Sequence, residues 1–159
     1  MFTTADLWDD HHEHLTCVAP IFKSYGSKSA FSGQIKTLKV FEDNTLVRKQ
    51  LESDGTDQVL VIDGGASLRC ALIGDQLAAL AIQNNWNGIV VNGCIRDSAL
   101  INTMDIGIKA LNTSPVKSIK QNSGHSTISI TFGGVIFIPK HYIYVDLDGV
   151  LISKHYLIK

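Results

Sequence analysis

Two uninterrupted aliphatic runs, Val59-Leu-Val-Ile62 and Ile89-Val-Val91, constrain this chain more than any other feature. Runs so short and so apolar suit strands covered on both faces, which is the habit of parallel sheets. Asp63-Gly64-Gly65 breaks the first run, and a further apolar stretch ends at Gly74-Asp75. Gln76 to Asn84 then carries Leu77, Leu80 and Ala81 at helical spacing. Trp86-Asn87-Gly88 turns the chain into the second run. Strand, helix and strand in that order make a crossover, so a parallel pair is expected.

Simpler elements flank this unit. Thr4 to about His14 reads as a helix, with Thr3 or Thr4 as cap and Asp6, Asp9 and Asp10 near its positive end. Gln34 to Phe41 alternates like a strand, and Glu42-Asp-Asn44 is turn chemistry. Thr45 to Ser53 reads as a helix that Gly55 is suited to end in a left-handed conformation. Ser98 is a candidate cap for a helix carrying Leu100, Ile101 and Met104 and ending near Gly107. Beyond it, Thr127 to Phe132 alternates, Gly133-Gly134 interrupts, and Val135 to Ile138 follows. Asp148-Gly149, between His141–Val145 and Val150–Ser153, is a hairpin signal. The expected fold is mixed α/β, part crossover and part antiparallel.

A chain of 159 residues, 45% hydrophobic and 18% charged, should expose about 8,000 Å² of the roughly 25,000 Å² it shows unfolded. One core suffices, so residues 1–159 are expected to form a single domain. A net charge of -1 gives no electrostatic footprint for direct nucleic-acid binding. Cys17, Cys70 and Cys94 are odd in number and form no CxxC pair, which fits free thiols in a reducing compartment. Cys70 and Cys94 read as small buried hydrophobes. With no signal peptide and no run of membrane-spanning length, a cytoplasmic protein is expected.

Several chemistries lack their motifs. No GxSxG, P-loop or helix-opening GxGxxG occurs. His11-His12-Glu13-His14 can offer imidazoles to a metal at helical spacing, but it lacks the HExxH pattern and reads better as a solvated helix end. Two strand-to-helix corners remain. Gly74-Asp75-Gln76-Leu77 opens a helix whose free amides suit a carboxylate or phosphate. Asn92-Gly93-Cys94-Ile95-Arg96-Asp97 follows the second run, and parallel strands place such corners side by side. Arg96 can pair with a carboxylate or stabilise an oxyanion, and Asp97 is a hard ligand for Mg²⁺ or Mn²⁺. Asp75 serves equally as a helix cap and Arg96-Asp97 as a surface pair. On residue types alone both readings stay open, the structural one slightly ahead.

Nearly the whole chain carries a further pattern. Phe31-Ser-Gly33-Gln-Ile35, Phe41-Glu-Asp-Asn44, Val61-Ile-Asp-Gly-Gly65, Asn85-Trp86, Asp105-Ile-Gly107 and Phe132-Gly-Gly-Val135 are its main blocks. In these the chain resembles the family of the regulator of ribonuclease E activity A, which includes the 4-hydroxy-4-methyl-2-oxoglutarate aldolases. The match is nearest to the short regulator branch. The aldolase branch is marked by an aspartate, twenty residues and then Arg-Asp. Asp75, residues 76 to 95, and Arg96-Asp97 reproduce that spacing.

The resemblance implies a homotrimer of a swivelling β/β/α-type domain and class II pyruvate aldolase chemistry. The Gly74–Leu77 backbone, Gln76 included, would hold a substrate carboxylate. Arg96 would steady the enolate, Asp97 would bind Mg²⁺ or Mn²⁺, and Asp75 would order water around the metal. Oxaloacetate decarboxylation would pass through the same enolate. Leu100 stands where many aldolase-branch members carry an acidic residue, a departure that implies weaker metal binding. The implied activities are a pyruvate-forming lyase acting on a small 2-oxo acid or, from a different class, a non-catalytic inhibitor that binds ribonuclease E or its degradosome partners.

Overall fold

The computed structural model describes residues 1–159. Its elements in chain order are α1 (Thr4–His11), a 3-10 turn (His12–His14), β1 (Leu15–Cys17), β2 (Lys23–Tyr25), β3 (Phe31–Lys39), α2 (Thr45–Leu51), β4 (Gln58–Asp63), β5 (Ala71–Ile73) and α3 (Asp75–Gln83). Then come β6 (Gly88–Ile95), α4 (Ser98–Ile101), β7 (Ile108–Thr113), β8 (His125–Ser126), β9 (Ile130–Phe132), β10 (Val135–Phe137), β11 (Tyr142–Val145) and β12 (Val150–Ser153).

The main sheet runs β1-β12-β11-β3-β4-β6-β7-β2, with β5 added beside β6 and β8 beside β3. Its centre, β3-β4-β6-β7, is parallel, and its flanks are antiparallel. The two aliphatic runs lie at that centre, with Val61 opposite Val90 and Ile62 opposite Val91. Alternate side chains enter two cores. Leu60, Ile62, Ile89 and Val91 pack with Leu51 of α2 and Ala78 of α3. Val59, Val61 and Val90 pack with Phe132 and Phe137 of the β9–β10 hairpin. Helices, sheet and hairpin therefore form three layers, the β/β/α arrangement. The exposed area is 7980 Å², as the chain length requires.

Four local expectations change. The strand expected over Gln34–Phe41 begins three residues earlier, at Phe31, because β11 pairs with Phe31–Gln34. Gly55 does not end α2. That helix stops at Leu51, and an added Cβ on Gly55 would lie 2.1 Å from the Trp86 ring, so the glycine serves close packing. Ser98 is not the cap of α4, a helix of only four residues. Asp97 holds that position in a left-handed conformation, φ 56° and ψ 36°. The alternation of Thr127–Phe132 yields a strand only from Ile130, since Thr127 sits at φ 59° and interrupts pairing. The hairpin at Asp148-Gly149 forms as expected, Val145 facing Val150. No helix is long and apolar enough to cross a membrane.

Candidate functional site

The parallel pairing of β5 with β6 brings the two corners together. The Arg96 amide donates to the Ile73 carbonyl at 2.9 Å, so the turn after β6 is fastened to the strand that feeds α3. The next residue, Asp97, turns its carboxylate onto the α3 N-terminus. Its Oδ2 accepts from the Asp75 amide at 3.2 Å and lies 4.0 Å from Arg96 Nε. A Cβ on Gly74 would come within 2.8 Å of that oxygen. Glycine here makes room for an anion against the backbone.

Gly74, Asp75, Gln76, Leu77, Arg96 and Asp97, the residues singled out in the sequence, line one cavity of about 210 Å³. The Arg96 and Asp97 side chains remain 37% and 38% exposed, open to a ligand. A larger cavity, about 410 Å³, lies at the opposite strand ends, near Gln34, Asn87 and Tyr142, and its only charged side chain is Asp57. It is the roomier of the two, but the charge and the helix N-terminus are at the smaller.

Six further residues line the cavity, and four of them bear on its chemistry. Asn44 donates its amide to the Leu72 carbonyl at 3.1 Å, while its Oδ1 is buried with no partner. A flipped amide would set oxygen against oxygen, so the orphan acceptor is fixed in orientation. Arg48 of α2 and Lys117 and Lys120 of the segment after β7 add positive charge. The only available signal was a pair of lysines close behind an apolar strand.

The lysine segment is anchored by Asp43, which is 2% exposed. Its carboxylate accepts from the Thr45 amide and hydroxyl at 2.9 and 2.6 Å, and from the Gln121 and Ser123 amides at 2.9 and 3.1 Å. Burial raises the Asp43 pKa, but these hydrogen bonds outweigh it and hold the carboxyl below its usual range. Next to it, Arg69 pairs with Glu42 at 2.7 Å and keeps that carboxyl low too. Phe41, Val116 and Ile119 beside this pair are exposed. Leu100 is exposed on α4 and lies outside the cavity lining.

His11 ends α1, and the side chains of His12, Glu13 and His14 are exposed. Nowhere do three or more His, Cys, Asp or Glu side chains gather as a metal cluster. Cys70 and Cys94 are buried and Cys17 is exposed, all three unpaired. Burial pushes the two buried thiols up, away from nucleophilic use.

An open α/β sheet whose strand ends gather a helix N-terminus, a guanidinium and a carboxylate has the chemistry to hold a small anion. A family model described as RraA-like, Aldolase/RraA, matches residues 4–152. The chain belongs to that family. It is 55% identical over 157 residues, 99% of each chain, to an Aromatoleum aromaticum protein named "Putative 4-hydroxy-4-methyl-2-oxoglutarate aldolase". Among solved structures it is similar to one described as the RNA-processing inhibitor RraA from Thermus thermophilis. That likeness is 40% identical with a TM-score of 0.95, covering 99% of this chain and 96% of the other. It is equally similar to a Geobacillus kaustophilus structure described as S-adenosylmethionine: 2-dimethylmenaquinone methyltransferase. There the identity is 46% and the TM-score 0.96, over 98% and 97% of the two chains.

Proposed function

We propose that this chain is a divalent-metal-dependent lyase that releases pyruvate from 4-hydroxy-4-methyl-2-oxoglutarate and decarboxylates oxaloacetate. The observation that carries this reading is the placement of Arg96 and Asp97 over the α3 N-terminus in one cavity. The aldolase name of a 55% identical relative supports it. The cavity has no aromatic lining residue on which an adenine ring could stack, which disfavours the methyltransferase alternative.

The amides of Gly74 to Leu77 seat the substrate carboxylate, aided by the helix dipole. Arg96 faces the 2-oxo oxygen, where negative charge grows as the C–C bond breaks and a pyruvate enolate forms. The donor set is all oxygen. Asp97 and Asp75 supply two carboxylates, and Asn44 Oδ1 stands without a donor. That set fits Mg²⁺ or Mn²⁺, which bind through one or two carboxylates and keep several waters. When bound on Asp97, such a cation supplies Lewis acidity toward the 2-oxo group. Asp75 orients water at the same mouth. The neighbouring copies of a homotrimer would close the open side, with exposed Phe41, Val116 and Ile119 supplying apolar contact. The unpaired cysteines fit a cytoplasmic setting.

Pyruvate release from each substrate, measured with Mg²⁺ or Mn²⁺ and with a chelator, tests the proposal. Metal-dependent turnover that falls about 100- to 1,000-fold in Arg96→Ala is expected. Turnover indifferent to metal, or full activity in that variant, overturns it. Likeness to the RNA-processing inhibitor favours a second, compatible reading, a regulator of ribonuclease E. The net charge of -1 then directs it to a protein partner instead of RNA. Failure to associate with ribonuclease E or its degradosome at micromolar concentration, with unchanged RNA cleavage, would remove it.

A further inference from the structure

The cavity carries more positive charge than one carboxylate requires. Arg48, Arg96, Lys117 and Lys120 face two acids, Asp75 and Asp97, so the lining is net +2 within a chain of net charge -1. The chain's two ion pairs are Arg69–Glu42 and Arg96–Asp97. Arg48, Lys117 and Lys120 therefore line one cavity without an ion-pair partner. Like charges gathered in this way repel unless an anion joins them.

Nor are the lysines carried on a loose tether. The Ala71 amide donates to the Val116 carbonyl at 2.8 Å, and the Ile119 amide to the Glu42 carbonyl at 3.1 Å. Asp43 then holds the Gln121 and Ser123 amides. The backbone that bears both lysines is fastened before, between and after them.

We propose that Lys117 and Lys120, with Arg48 beside them, are the residues that seat the second carboxylate of the 2-oxo diacid and so set its preference over 2-oxo acids with neutral tails. This rests on the lyase reading, in which Gly74–Leu77 and Arg96 hold the 2-oxo acid end. The three remaining cations line the same small cavity and take the other end. Two lysines suit a mobile distal carboxylate, since an ammonium acts as a point charge and imposes no fork geometry.

The test compares cleavage of 4-hydroxy-4-methyl-2-oxoglutarate with that of 4-hydroxy-2-oxopentanoate, whose tail is neutral, at one ionic strength. Lys117→Met and Lys120→Met each keep the apolar stem of an exposed side chain, so folding is spared. Each variant is expected to lower kcat/KM for the diacid about 10- to 100-fold and to leave the neutral-tailed substrate unchanged. Equal losses on both substrates, or no loss on the diacid, overturn the proposal. A second arm needs no turnover: calorimetric titration of 2-oxoglutarate and of 2-oxobutanoate in the presence of Mg²⁺. Tighter binding of the diacid, abolished in the double variant, supports the second seat even if cleavage is never seen, and then only the lyase reading fails. Equal affinity for the two acids, or measurable binding of neither, overturns the second seat.

Discussion

Asp146 and Asp97 both follow strands and both accept a hydrogen bond from the first residues of a helix, yet they are bonded very differently. Asp146 accepts from the Thr4 amide and hydroxyl, both at 2.7 Å, and from the Asp148 and Gly149 amides at 2.9 and 3.3 Å. Asp97 has one amide at 3.2 Å and a guanidinium nitrogen at 4.0 Å. It also stands in the left-handed region, a conformation that costs a non-glycine residue about 1 kcal/mol or more. The first carboxylate is saturated and ties the chain's ends together. The second is sparsely bonded and half exposed, which leaves it the freer of the two to meet a ligand under the proposed function.

The largest expected break in this contrast is catalytic. Asp97→Ala should abolish metal-dependent pyruvate release, by about 100-fold or more, while urea unfolding stays within about 1 kcal/mol of the parent. A large stability loss there would erase the distinction. Asp43→Ala should cost about 3 kcal/mol, because four donors around a buried carboxylate lose their acceptor, and urea unfolding measures it. Asp146→Ala should cost about 2 kcal/mol by the same measurement, the site being less buried.

Acid sharpens the contrast least but most generally. Both saturated carboxyls have pKa values below the ordinary 3.8, because hydrogen bonds outweigh the opposing effect of burial. A carboxyl lowered in the folded state adds stability that is complete above its unfolded pKa. That contribution disappears as pH falls through the folded value. Stability should therefore hold down to about pH 4 and decline below it. Chemical unfolding across pH 2 to 5 should show a shallower decline in an Asp43→Asn, Asp146→Asn double variant.

How much of this was readable beforehand follows from range. The crossover was legible in Val59–Ile62 and Ile89–Val91 because burial on both faces leaves an aliphatic run that nothing else needs. The meeting of Gly74-Asp75 with Arg96-Asp97 was legible because parallel pairing fixes which strand ends adjoin. The Asp43 clamp was not. Its two distant donors lie 78 and 80 residues away, in a segment with neither helical nor strand period. Lys117 and Lys120 owe their place to that clamp together with the Ala71–Val116 and Ile119–Glu42 backbone hydrogen bonds. Ser98 looked like a cap by type, but the left-handed turn at Asp97 took the position one residue earlier. Aspartate tolerates that conformation better than most residues, but nothing in the local spacing marked Asp97 as the one to adopt it.

The pairing of β1 with β12 has a bearing on how the chain is made. Leu15 to Cys17 leave the ribosome long before their partners Leu151 to Ser153. The parallel centre has all its strands once residue 113 has emerged and can assemble first. During that interval the first helix and strand have no seat. They close the sheet's edge only after the β11–β12 hairpin arrives, so a segment made before the parallel centre docks after it.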